Sequence, residues 1–78
     1  MKNNPEKITS KLLDKFLEIR KGQGLSHENL AKKARVHRST ISLIESKKRV
    51  PSISTCLKIA NALEISLGEI LIDLEKQK

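Results

Sequence analysis

The sequence predicts a compact all-α domain of five helices. Three observations carry that prediction. Apolar residues recur at three- and four-residue spacing in successive segments. Serines stand directly before three of those segments, where a helix needs a side-chain cap. The only aromatic residue is Phe16, whereas a β-sandwich or barrel leans on aromatic and β-branched strands. A length of 78 residues leaves room for one domain. A core this small must be efficient or be helped by a partner.

The first helix starts between Pro5 and Ser10 and runs to Lys21, with Asn4 and Pro5 readable as a cap and a first-turn proline. Leu12, Phe16 and Ile19 form its apolar stripe, widened by Leu13 and Leu17, and Gly22-Gln23-Gly24 ends it. Ser26 caps a short second helix, His27 to Ala34, whose inward face is Leu30, Ala31 and Ala34. Arg35-Val36 connects to a third helix at about His37 to Ser46, with His37 helping to start it. At 100° per residue, Ile41, Ile44 and Glu45 fall on one side. Ser39, Ser42, Leu43 and Ser46 fall on the other, with Arg38 at the edge. Serines and threonine lower helix propensity and add no ion pairs, so this outer face asks for an explanation beyond solvation. After the basic loop Lys47-Lys48-Arg49, Ser52 caps a fourth helix, Ile53 to about Leu63, with Ile53, Leu57, Ala60 and Leu63 as its stripe. Ser66 caps the fifth, Leu67 to about Glu75, and Ser66-x-x-Glu69 reads as a capping box. Leu67, Ile70, Leu71 and Leu74 line one face of it and Ile72 falls outside. The expected organisation is a flexible segment over residues 1–8, a domain over 9–75 and a tail over 76–78.

Charge is distributed unevenly. The net charge is +7, and residues 26–49 carry seven basic against two acidic groups, while residues 50–78 are slightly acidic. An electropositive middle suits a polyanion, phosphates first among them. With one aromatic ring, the chain is a poor candidate for binding single strands by base stacking. Cys56 alone allows neither an internal disulfide nor a multi-cysteine zinc site, and inside the fourth helix it reads as a small core residue. His27 and His37 have no carboxylate or cysteine at ligand spacing, so no metal and no cofactor are expected. No nucleophile–base pairing, paired-carboxylate arrangement or phosphate-cradling Gly loop is legible, which leaves an enzyme without support. No stretch is long and apolar enough for a bilayer or a signal peptide, and a cytoplasmic location is expected.

A capped short helix, a turn of about three residues and a second helix with a polar outer face make a helix-turn-helix, here in the most basic third of the chain. The blocks Leu25-Ser26-His27-Glu28-Asn29-Leu30-Ala31, Val36-His37-Arg38-Ser39-Thr40-Ile41-Ser42-Leu43-Ile44-Glu45 and Pro51 to Leu63, with its Lys58-Ile59-Ala60-Asn61-Ala62-Leu63 run, carry a resemblance. Over roughly residues 12–71 the chain resembles the Cro/phage-repressor (Xre-type) helix-turn-helix family. The His37-Arg38-Ser39 opening followed by Ile41-Ser42 is also similar, more weakly, to controller proteins of restriction–modification systems.

The resemblance implies that the third helix enters the DNA major groove. Arg38, Ser39, Ser42 and Leu43 would then face bases: Arg can bond guanine O6 and N7 together, and Leu43 can touch a thymine methyl. Thr40 would reach a phosphate. His27 stands where the family usually has a phosphate-binding glutamine, and Lys47, Lys48 and Arg49 match its backbone-contacting loop. The N–H groups after Ser52 would serve likewise. Arg20 and Glu45 match a family pair that forms an internal salt bridge. Arg35, Lys47 and Glu64 occupy helix ends where the family often has glycine, so a left-handed backbone is expected there at a cost on the order of 1 kcal/mol each.

The apolar surplus at Ile65, Leu67, Ile70, Leu71 and Ile72 is read as a homodimer seam, the plainer alternative being a satellite of the core. A dimer sets two reading helices about 34 Å apart on a near-palindromic site. The expected function is therefore sequence-specific regulation of transcription on double-stranded DNA. Two rivals stand beside it: a controller protein acting on its own operon, and an antitoxin-type interaction module. The latter would need a further binding segment, and only residues 1–8 and 75–78 lie clearly outside the domain.

Overall fold

Asn4 opens the first helix by accepting hydrogen bonds at Oδ1 from the backbone N–H of Glu6 (2.9 Å) and Lys7 (3.2 Å). In the computed structural model, which describes residues 4–77, α1 spans Pro5–Gly22, α2 His27–Ala34, α3 Arg38–Glu45, α4 Ile53–Ala62 and α5 Leu67–Lys76. No strand occurs among the described residues. Residues 5–8, expected to be part of a flexible segment, belong to α1, because the Asn4 cap and Pro5 start the helix there and Ile8 packs on the core. The remainder of that expected segment, residues 1–3, and the last residue of the expected tail lie outside the described residues. No helix among the described residues is long and apolar enough to cross a membrane.

The serine caps form as the sequence predicts. Ser26, Ser52 and Ser66 accept at Oγ from the N–H of Asn29, Thr55 and Glu69 respectively. Only the serine half of the Ser66/Glu69 capping box is made among the described hydrogen bonds. α2 packs against α3 and α4, and α1 packs against α3 and α5. Ala31, Ala34 and Ala60 are all buried; their small side chains let α2 and α4 approach closely. Phe16, Leu30, Ile41, Ile44, Ile59 and Leu63 fill the centre and are almost wholly removed from water.

One face differs from expectation. The inward side of α4 is Cys56, Ile59, Ala60 and Leu63, at i, i+3, i+4 and i+7, while Ile53 is 68% and Leu57 46% exposed. Both stripes have helical spacing and share Ala60 and Leu63; packing of α4 against α2 and α5 buries Cys56 and Ile59 with them and leaves Ile53 and Leu57 to solvent. Burial raises the Cys56 thiol above its ordinary pKa, the reverse of what a reactive cysteine needs.

Four helices end in the same way. After α1, Leu25 N–H reaches Arg20 C=O and Gly24 N–H reaches Lys21 C=O. The equivalent pairs follow α2 (Val36 to Ala31, Arg35 to Lys32), α3 (Lys48 to Leu43, Lys47 to Ile44) and α4 (Ile65 to Ala60, Glu64 to Asn61). This closing motif requires a left-handed residue. Glycine supplies it once, at Gly24 with φ 71°; Arg35 (59°), Lys47 (64°) and Glu64 (60°) supply the others against the preference of their Cβ atoms. Glu64 also places a negative charge at the negative end of α4. Glu64→Gly should therefore stabilise the domain by about 1 kcal/mol after allowance for the greater freedom of the unfolded chain, raising Tm by about 5 °C. Thermal unfolding followed by circular dichroism checks this; an unchanged or lower Tm would show the turn to be unstrained.

Candidate nucleic-acid interface

The turn between α2 and α3 consists of Arg35, Val36 and His37. It is short because Arg35 takes the left-handed conformation and Val36 bonds back to Ala31. His37 occupies the N-cap of α3 but its ring makes no capping hydrogen bond, so α3 begins one residue later than the sequence suggests. It also ends earlier, at Glu45, with Ser46 as the C-cap.

Ile41 and Ile44 anchor α3 to the core. That anchoring turns Arg38, Ser39 and Ser42 outward, exposed, with Leu43 half-buried beside them. These four residues line one groove together with His27 from the start of α2. A second cleft, between the start of α3 and the start of α4, brings Thr40, Arg49 and Ser52 together and adds Arg35. Ser52 Oγ is occupied by the α4 cap and by a bond to Thr55 Oγ1 (3.1 Å), so any anion there meets the backbone N–H groups of α4 rather than the hydroxyl.

The basic loop is not uniform. Lys48 is exposed and forms no ion pair among the described residues. Lys47 instead turns its ammonium to α1, bonding Ser10 Oγ at 2.7 Å and Asp14 Oδ1 at 2.9 Å. The pair with Asp14 is exposed and contributes little stability, but it ties the loop to α1. Nothing in the sequence pattern singles out Ser10 or Asp14 for this contact, which joins residues far apart in the chain.

Behind the grooves lies a buried ionic cluster. Arg20 donates from Nε to Glu45 Oε2 (2.6 Å) and from Nη2 to Oε1 (3.0 Å). Its Nη1 donates to the Leu25 carbonyl at 2.7 Å. The same guanidinium thus holds α1 to the end of α3 and pins the turn that leads into α2. His27 Nε2 completes the cluster, 2.8 Å from Glu45 Oε1. The sequence separates these residues by 25 and 18 positions, and no local signal announces the histidine's place in the cluster. Among the described residues no three His, Cys, Asp or Glu side chains converge as metal ligands.

The face expected to carry dimer contacts divides. Leu67 is buried in the domain's own core, together with Leu74, and is removed from that set. Ile65 and Ile70 pack partly against the core, and Ile72 is 53% exposed.

A short capped helix and a three-residue turn, followed by a helix anchored by two isoleucines with an open polar face, define a helix-turn-helix DNA-binding domain. The family model described as helix-turn-helix matches residues 16–70, and the chain belongs to this family of Xre/Cro-like DNA-binding regulators. The match does not distinguish a controller sub-family. No curated protein matches the chain.

Proposed function

We propose that this chain regulates transcription by binding a near-palindromic operator as a homodimer, with α3 in the major groove of each half-site. The observation that carries this reading is the open face of Arg38, Ser39 and Ser42 on a helix anchored behind by Ile41 and Ile44, flanked by the cleft that holds Arg35 and Arg49. Arg38 reads guanine, Ser39 and Ser42 bond base edges, and Leu43 contacts a thymine methyl. Thr40, Lys48, Arg49 and the N–H groups after Ser52 hold phosphates, with His27 doing so on the other flank. Lys47 belongs to this set through its charge, although its ammonium is engaged by α1. Arg20 and Glu45 position the reading helix.

Selection of bound duplexes from a random pool tests the reading. A two-fold symmetric consensus is expected, with half-sites about one helical turn apart. Scrambled duplexes competing equally at physiological salt would overturn it.

The dimer seam is drawn from the apolar side chains around α5 that the fold leaves open: Ile72, with Ile65 and Ile70 at its margin. Ile72→Asp leaves the core intact and should shift sedimentation from dimer to monomer while the fold persists. A wild-type protein that already sediments as a monomer would remove the seam.

A further inference from the structure

We propose that His27 meets a DNA backbone phosphate only as the imidazolium, so that each protomer takes up a proton when it binds DNA. This rests on the reading above that the start of α2 contacts the backbone. The tautomer follows from the hydrogen bonds. Both oxygens of Glu45 already accept from Arg20, and a carboxylate paired with a guanidinium can only accept. His27 Nε2, at 2.8 Å from Oε1, therefore carries a hydrogen and donates it. In a neutral ring that leaves Nδ1 with a lone pair. Nδ1 has no protein partner among the described residues, and the side chain is 38% exposed in the groove it shares with Arg38, Ser39 and Ser42.

A lone pair directed at a phosphate oxygen repels it. An unanchored histidine would answer by exchanging tautomers, but here Nε2–H is committed to Glu45. Only a second proton, taken from solvent onto Nδ1, makes the ring a donor on both sides. The charged groups around it come from three helices: Arg20 of α1 across the shared carboxylate, Glu28 next to it on α2, and Glu45 and Arg38 on α3. α4 packs on α2 but contributes nothing to this groove. Glu45 already balances Arg20, so the arriving phosphate is the added anion that retains the second proton. DNA and proton then favour each other's binding by the same factor, and affinity rises as pH falls.

The test measures binding of the selected duplex by fluorescence anisotropy at constant ionic strength from about pH 5.5 to about pH 8.5, the range in which histidine charge changes. Wild type, His27→Gln and His37→Gln are compared, with circular dichroism confirming that each stays folded at both extremes. Wild type should bind more than about tenfold tighter per protomer at about pH 6 than at about pH 8, and the two protomers of a dimer multiply that factor. His27→Gln keeps a neutral donor in reach of Glu45 and should give a flat profile, and His37→Gln should keep the wild-type slope. Parallel profiles for wild type and His27→Gln, or a slope lost only in His37→Gln, would overturn the proposal. Calorimetry of the wild type in two buffers of different ionisation enthalpy gives a reading that needs no variant: net proton uptake supports the proposal, and none refutes it. Duplex binding without a pH slope sinks this inference alone, whereas no duplex binding at any pH sinks the DNA-contact reading and takes this inference with it.

Discussion

Replacing Glu45 with alanine should lower the free energy of unfolding by about 3 kcal/mol, a fall in Tm on the order of 15 °C. The size follows from what the substitution leaves behind. Arg20 is 9% exposed, and without Glu45 its guanidinium keeps only the Leu25 carbonyl among its protein partners. A buried cation without its counter-charge is far more costly than the pair is favourable, because desolvation is no longer offset. The double variant Arg20→Met/Glu45→Leu removes both charges and should recover most of the loss, since a buried ion pair and a well-packed apolar replacement are of similar stability. Chemical denaturation of the single and double variants completes the cycle and isolates the coupling. A loss below about 1 kcal/mol for Glu45→Ala would mean that water replaces the carboxylate and that the cluster is not structural.

Replacing Arg38 with alanine should leave stability almost unchanged, because the residue is exposed and outside the core. Its effect should fall on recognition. Arg38 opens α3, and the first turn of a recognition helix is the part that reaches base edges. Loss of a bidentate contact to guanine costs about 1–3 kcal/mol at one base pair and relaxes preference there alone. Repeating the duplex selection with the variant, and titrating duplexes altered one pair at a time, measures both effects. A uniform weakening across all sequences would place Arg38 on the phosphates.

Much of this molecule is legible in its sequence. The caps at Asn4, Ser26, Ser52 and Ser66 mark four helix starts because a short oxygen-bearing side chain there satisfies N–H groups that the helix cannot. The inward residues of α2 and α3 follow from period alone, and with them the outward residues Arg38, Ser39 and Ser42. The left-handed backbone at Arg35, Lys47 and Glu64 is expected from the positions of those residues at helix ends and from the family's glycines. α4 is where periodicity fails. Its two apolar stripes share Ala60 and Leu63, and helical period does not decide between Cys56 and Ile59 on one side and Ile53 and Leu57 on the other; packing against α2 and α5 does.

What the chain determines by itself is local: where each helix starts and stops, and that one of them presents serines and an arginine to the outside. Neighbouring residues decide such features through backbone hydrogen bonds and a repeat of 3.6. What only the tertiary structure decides is which distant side chains meet. The joining of His27 to Glu45 and Arg20, the turn of Lys47 towards Ser10 and Asp14, and the withdrawal of Leu67 into the core all depend on the angles at which helices cross. Those angles come from the packing of side chains from several helices at once, information that no single segment of the sequence contains.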